Sequence, residues 1–239
     1  MGRVIVTTSW DDGHPLDLRV AEMLARRNMR GTFYVPLRYT RRPVLSPSQM
    51  RKMQAMGMEI GSHTLTHPVL TGIPASALPE EVRGSKAQLE DLLGCAVDSF
   101  CYPKGKSNHA VRAAVRAAGY RLGRTTVAFR TARRFEPWAM PVTCQFTRQS
   151  RFAQTKHALR EGNLRGLATW WGAARCESDP VRLARRLFEA ALAGGGIFHL
   201  WGHSWELEAG SLWRAFEETL DYLAWRPDVA YSTNVQVLT

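Results

Sequence analysis

The chain has 239 residues, 45% hydrophobic and 22% charged, a balance that supports a sizeable buried core and argues against a disordered or fibrous chain. Its 32 basic and 21 acidic residues leave a net charge of +11, which suits an anionic partner, yet no helix-turn-helix, zinc-finger or RNP pattern marks a specific nucleic-acid module. No stretch approaches the roughly 18 apolar residues of a membrane span, so no transmembrane segment is expected.

The first predicted strand is the β-branched run Val4-Ile5-Val6-Thr7-Thr8, ending in Ser9-Trp10-Asp11-Asp12-Gly13-His14. Met1-Gly2-Arg3 leads straight into it, which predicts no export signal, and Cys95, Cys101, Cys144 and Cys176 show no CxxC spacing. A reduced, cytoplasmic setting is the simplest expectation. Pro15 then opens a helical pattern through Leu16, Leu18, Val20, Met23 and Leu24. Strand, acidic turn and helix is where parallel α/β proteins place chemistry. Two neighbouring carboxylates repel, so they call for a cation. One arrangement puts Asp12 on a metal and leaves Asp11 free as a base; the alternative is a plain helix N-cap.

Residues 31–35 read as the second strand, stopped by Pro36 and followed by a basic loop over 37–47. Ser46 caps a helix through Met50, Met53 and Met56, whose spacing suits core packing. The third strand, 58–61, runs into Ser62-His63-Thr64-Leu65-Thr66-His67-Pro68. His63 and His67 stand four residues apart, so a helical turn or a tight loop brings both imidazoles to one point. A surface pair gives the same spacing. With Asp12 on the same rim, however, one carboxylate and two imidazoles form a catalytic rather than a structural metal set.

Ser9-Trp10-Asp11-Asp12-Gly13 resembles the TFDDG motif of the polysaccharide deacetylase family, the NodB-homology domain of carbohydrate esterase family four. His63-Thr64-Leu65-Thr66-His67-Pro68 is similar to its second motif, H-[ST]-x-x-H-P. The resemblance implies a distorted (β/α) barrel and metal-dependent removal of an N-acetyl group from an amino sugar. It also implies that Asp12, His63 and His67 hold the metal and that Asp11 is the general base. A dication would lower the pKa of bound water and polarise the amide carbonyl, while the free carboxylate takes the water's proton.

A helix is predicted over 78–93 and a fourth strand over 97–102. That strand ends in Phe100-Cys101-Tyr102-Pro103-Lys104-Gly105-Lys106, a variant of the family's third motif. By resemblance the Tyr102 backbone N–H is the oxyanion donor, and Trp10 and Trp201 join it in substrate binding. The familiar motif carries an Arg that orients the base; Cys101 lies there in this chain. A fifth strand over 119–125 holds Arg124, which either supplies that missing cation to Asp11 or is a surface residue at a strand end. A sixth strand is placed at 138–142. The divergent helical region 148–193 carries Trp170-Trp171, as a groove cap stacking on sugar or as core.

The last signal, Gly196-Ile197-Phe198-His199-Leu200-Trp201-Gly202-His203-Ser204-Trp205-Glu206, resembles the fifth motif, whose His is the general acid. His203, nearer the carboxyl end of the strand, is preferred over His199 for that role, and Glu206 is placed to raise its pKa. A helix over 212–225 and a strand over 229–235 follow. The expectation is therefore an α/β chain, a distorted (β/α) barrel forming one domain over 1–239. It would be a metal-dependent carbohydrate N-deacetylase using zinc first, or cobalt, nickel or iron in the same ligands. Its substrate would be an N-acetylated sugar or glycan, anionic or carrier-linked in some cases. The alternatives are a hydrolase of a cyclic, non-sugar amide and a non-catalytic carbohydrate- or polyanion-binding protein.

Overall fold

The computed structural model describes residues 3–239. In β1 (Val4–Trp10) every residue except Ile5 is buried, which is the setting that β-branched side chains suit best. β1 lies parallel to β2 (Thr32–Val35) on one side and β7 (Ile197–Gly202) on the other, while its first three residues pair with β8 (Val229–Tyr231). β2 leads outward through β3 (Glu59–Ser62) and β4 (Ser99–Cys101) to β5 (Leu122–Arg124), and β6 (Cys144–Gln145) flanks β7. The order is β5-β4-β3-β2-β1-β7-β6. The segment entering β6 runs beside both sides of the gap: Met140 N–H donates to Gly123 O at 2.8 Å and its carbonyl accepts from Thr125 N at 2.9 Å along β5, while Thr143 N–H donates to His199 O of β7 at 2.9 Å. The sheet is thus curled into the expected distorted (β/α) barrel.

Helices α1 (Asp17–Ala25), α2 (Pro47–Ala55), α3 (Ser85–Leu93), α4 (His109–Ala117), α5 (Arg151–Arg160), α6 (Leu164–Trp171), α7 (Pro180–Gly194), α8 (Ser204–Ala209) and α9 (Trp213–Leu223) complete the fold. Phe216 of α9 packs edge-on against Trp10 at 5.0 Å and Phe146 at 5.4 Å, and Phe188 of α7 meets Phe198 at 5.5 Å. Trp10 is therefore a fully buried core residue and not a substrate contact, a correction to its sequence assignment. Ser46 and Gln49 close a capping box at the start of α2.

Three boundaries differ from expectation. No strand covers 138–142: a 3₁₀ turn takes Pro137–Ala139, and Pro141 has no N–H to give a ladder, so only Met140 bridges before β6 begins at Cys144. The helix expected over 78–93 starts as a π-helical turn, Glu80–Gly84, before passing into α3. The last strand stops at Tyr231 because Asn234 folds beneath the barrel, accepting from Thr7 Oγ1 at 2.7 Å and donating to the Tyr34 hydroxyl at 2.9 Å.

All strands being parallel, their carboxyl ends share one rim. Trp10 is level with Gly202, Val35 with Ser62, and Cys101 with Arg124. The segments after β1, β3, β4, β5 and β7 therefore converge there.

Candidate active site

Asp11 continues the β1–β7 ladder, its N–H donating to Gly202 O at 3.0 Å. The chain then reverses through Asp12 (φ 72°) and Gly13 (φ 57°). A Cβ on Gly13 would lie 2.9–3.2 Å from Val35, so glycine is required both by φ and by space. The left-handed turn at Asp12, costly for a side-chain-bearing residue, points adjacent carboxylates to different partners.

Asp12 Oδ1 lies 3.3 Å from His67 Nε2 and 3.8 Å from His63 Nε2, and the two Nε2 atoms are 3.1 Å apart. His63 follows β3 directly. Its Nδ1 is 2.8 Å from Cys101 O, and a carbonyl only accepts, so Nδ1 carries the proton and Nε2 presents a lone pair. Burial pushes the His63 pKa down to about 4, which keeps that imidazole neutral. His67 returns to the same point through a tight loop with Thr64 (φ 71°) and His67 (φ 62°) in the left-handed region. One carboxylate and two imidazoles within 4.8 Å of one another fit a divalent cation in charge, donor type and tautomer. Despite burial, the His67 hydrogen bond and the neighbouring imidazoles hold Asp12 well below the usual carboxylate range.

The structure brings Arg124 to Asp11. The fully buried guanidinium donates through Nη2 to Asp11 Oδ1, and against the effect of burial it keeps Asp11 ionised at lower pH than usual. The other carboxylate oxygen, Oδ2, faces Cys101 Sγ at 3.7 Å. Cys101 and Arg124 are register partners across β4 and β5, so the cation stands one strand over from the position the thiol occupies. Exchanging them tests that placement. Arg124→Cys alone is expected to cost ~3–5 kcal/mol by leaving Asp11 buried without its partner. Adding Cys101→Arg should recover most of it in denaturant unfolding; no recovery would show that β4 cannot supply the cation.

His203 follows β7. Its Nδ1 donates to Glu206 Oε2 at 2.9 Å, and its Nε2 is 4.0 Å from Asp12 Oδ2. Burial opposes protonation, but the Glu206 hydrogen bond and the charges of Asp11, Glu206 and Asp12 together outweigh it and raise the His203 pKa. Gln145 Nε2 donates to the same Glu206 oxygen at 3.0 Å. His199 is excluded from the site, correcting its candidacy as an acid. It is buried in β7 with Nε2 2.8 Å from Ser9 Oγ and Nδ1 3.2 Å from Pro141 O, and burial lowers its pKa to about 3.

Tyr102 also falls outside. Its N–H continues the β4–β5 ladder to Arg124 O at 3.2 Å and its hydroxyl donates to Trp138 O at 2.9 Å, so neither group is free to face a substrate. Lys104, two residues on, lines the cavity instead, with a left-handed backbone (φ 56°). That cavity, about 210 Å³, is bounded by Asp11, Asp12, Tyr39, His63, His67, Lys104, Thr126, Trp201 and His203. Trp201 is thus a wall residue. A larger cavity of about 590 Å³ shares Lys104, Thr126, Trp201 and His203 with it. Trp170 stacks on Phe129 at 4.9 Å in the core and Trp171 is exposed, so the tryptophan pair does not line either cavity.

Sequence reasoning missed three supports. Trp205 Nε1 donates to Asp12 Oδ2 at 3.1 Å, fixing the carboxylate from behind. Glu81 accepts from the N–H groups of Leu65 and Thr66 at 3.0 Å each, clamping the histidine loop to the π-helical turn. Tyr39 packs on His67 with ring centroids 4.8 Å apart. The only advance signal was that Trp205 adjoins His203 and its neighbours in the last motif.

Residues 2–123 match the family model described as polysaccharide deacetylase. Chitin deacetylase 1 of Cryptococcus neoformans is 31% identical over 133 residues, covering 52% of this chain and 27% of that protein. The chain spans less than half the length of the curated relatives it matches. The chitin deacetylase of Colletotrichum lindemuthianum superposes with a TM-score of 0.62 at 17% identity, over 99% of this chain and 88% of that one. A family 4 acetyl xylan esterase from Clostridium thermocellum, in complex with cobalt, gives 0.57 at 14% identity over 98% and 90%. At these identities the structural likeness speaks for the fold.

Proposed function

The chain belongs to the polysaccharide deacetylase family, and on that footing we propose that it hydrolyses the N-acetyl group of an amino sugar. The observation that carries this reading is one small cavity onto which Asp12, His63, His67, the ion-paired Asp11 and His203 all open. Asp12, His63 and His67 would hold a divalent cation, zinc first, with cobalt, nickel and iron suited to the same donors. Such a cation supplies a Lewis acid for the acetyl carbonyl and makes hydroxide accessible near neutral pH.

The chain's own groups then divide the proton transfers. Asp11, kept ionised by Arg124, takes the proton of the attacking water. His203, protonated on Nδ1 and turned by Glu206, gives a proton from Nε2 to the departing sugar amine. Trp201 walls the cavity beside it. Acetate and a free amine result.

Purified protein incubated with a panel of N-acetylated sugars should release acetate in proportion to bound metal, at about one metal per chain. Metal without acetate from any sugar would shift the substrate to another amide, and no metal after reconstitution would refute the reading.

A pH profile tests the acid separately. His203 must be protonated to act, so activity falls as pH rises through its pKa. Glu206 raises that pKa, with Asp11 and Asp12 adding to it. Glu206→Gln should therefore move the alkaline limb to lower pH and leave the acid limb in place. An unmoved alkaline limb would assign it to another group.

A further inference from the structure

Helices α5 and α6 turn apolar side chains outward. Of the five large hydrophobic residues exposed among the described residues, four belong to this pair: Phe152 is 75% exposed, Leu159 58%, Leu164 76% and Trp171 60%. Phe152 and Leu159 stand two helical turns apart on α5, as do Leu164 and Trp171 on α6, so each pair makes a stripe along one face. The other faces are already spent on the core, through Gln154 and Ala158 on α5 and Leu167 and Trp170 on α6.

The stripes stand in a field of positive charge. Arg148, Arg151, Lys156, Arg160, Arg165 and Arg175 lie in and around these helices. The one carboxylate among them, Glu161, is paired with Lys106 at 2.9 Å. Lys156 and Arg160 occupy the arc of α5 beside the Phe152–Leu159 stripe and also line the larger cavity, which no carboxylate lines. Gln154, buried on the same helix, lines that cavity too. The larger cavity is thus lined by α5 residues adjoining the Phe152–Leu159 stripe, and it shares Lys104, Thr126, Trp201 and His203 with the catalytic cavity.

We propose that α5 and α6 seat this protein on an anionic phospholipid surface, with the mouth of the larger cavity beside the contact. Phe, Leu and Trp stripes flanked by Lys and Arg are the composition of helices that lie in a membrane interface. Neither helix is long or apolar enough to cross a membrane, so the contact is one of lying on the surface. A second copy meeting through the same face would set cations against cations, because a two-fold interface apposes a patch to itself. Combined with the proposed hydrolysis, and resting on it, the placement favours an amino sugar carried on a lipid anchor.

Flotation of the full chain with vesicles tests the docking without any assay of turnover. Binding to phosphatidylcholine–phosphatidylglycerol vesicles should exceed binding to pure phosphatidylcholine by at least about tenfold and weaken with added salt. Phe152→Ser with Trp171→Ser, which leaves the charge unchanged, should weaken binding by about tenfold, and so should Lys156→Gln with Arg160→Gln. Tryptophan emission should shift to the blue on the mixed vesicles, and less so in Trp171→Phe. Equal binding to both vesicles, or binding indifferent to the Phe152→Ser/Trp171→Ser pair, would overturn the proposal. A dimer in sedimentation that Trp171→Ser dissociates would give the face to a second copy instead. Acetate release without vesicle binding would remove the docking and leave the hydrolase reading standing, and the reverse result would do the opposite.

Discussion

Asp11→Asn should lower kcat by about 10²–10⁴, the range of a lost general base, and should also destabilise the protein. The second effect comes from Arg124. Its guanidinium is fully buried between the rings of Tyr34 and Trp201, 5.3 and 4.9 Å from their centroids, and its Nε and Nη1 have no hydrogen-bond partner among the described residues. Asp11 is the carboxylate that balances this charge. Neutralising it strands a buried cation, at a cost of about 3–5 kcal/mol. Removing both members is different. Asp11→Asn with Arg124→Met puts an unbranched apolar chain in an aromatic slot and should regain most of the stability, while turnover stays lost. Urea unfolding and acetate release on the same three proteins separate the roles. Because the folded-state pKa of Asp11 is depressed, its contribution is present above the unfolded carboxylate pKa and lost as pH falls through the folded one. The stability gap between wild type and Asp11→Asn should therefore close in acid. A double variant as unstable as the single one would mean that Asp11 serves more than this pair.

His63→Ala should abolish stoichiometric cation binding and the thermal stabilisation that accompanies it. A ligand present at a thousandfold excess over Kd adds ~4 kcal/mol to folding stability. The wild type should gain such an increment on adding zinc, and the variant should not. His63 is the informative ligand because its tautomer is fixed by Cys101 O, so its Nε2 lone pair is preset toward Asp12 and His67. Metal analysis and thermal unfolding report on this without a substrate. Zinc-dependent stabilisation that survives in His63→Ala would place the cation elsewhere, with the Asp11, His63 and Cys101 cluster excluded by the same result.

The parts of the site that the sequence announced are those set by short spacing. Asp11, Asp12 and Gly13 are consecutive, and His63 and His67 are separated by a loop too short to point far apart. Arg124 was readable as a strand-end cation, but its pairing depends on the β4–β5 register, which places it level with Cys101. His199 and His203 looked interchangeable because alternation specifies a face and not a depth; one is level with Thr7 inside the barrel, and the other lies past the strand's end. Tyr102 failed because its N–H is taken by Arg124 O across the β4–β5 pair, a partner 22 positions away that the motif alone does not reveal. Trp205 and Glu81 reach Asp12 and the histidine loop across 193 and 15–16 positions, beyond any local pattern. In the fold, the alternation of strands and helices revealed the barrel, whereas the prolines around Met140 hid how it closes.

The pairing of β1 with β7 and β8 has a consequence for the order of assembly. Thr7 and its hydrogen-bond partner Asn234 are 227 positions apart, and six residues of β1 find their neighbours in β7. During synthesis the strand that leads into both carboxylates leaves the ribosome before β7 and β8 and waits, with backbone N–H and C=O groups of one edge unpaired, until they are made. Contacts of such separation slow folding and leave the waiting strand open to wrong partners. The two aspartates are thus made long before the strands that set them in place, so nascent chains stalled before β7 should lack a formed site, however well β2 to β5 have paired.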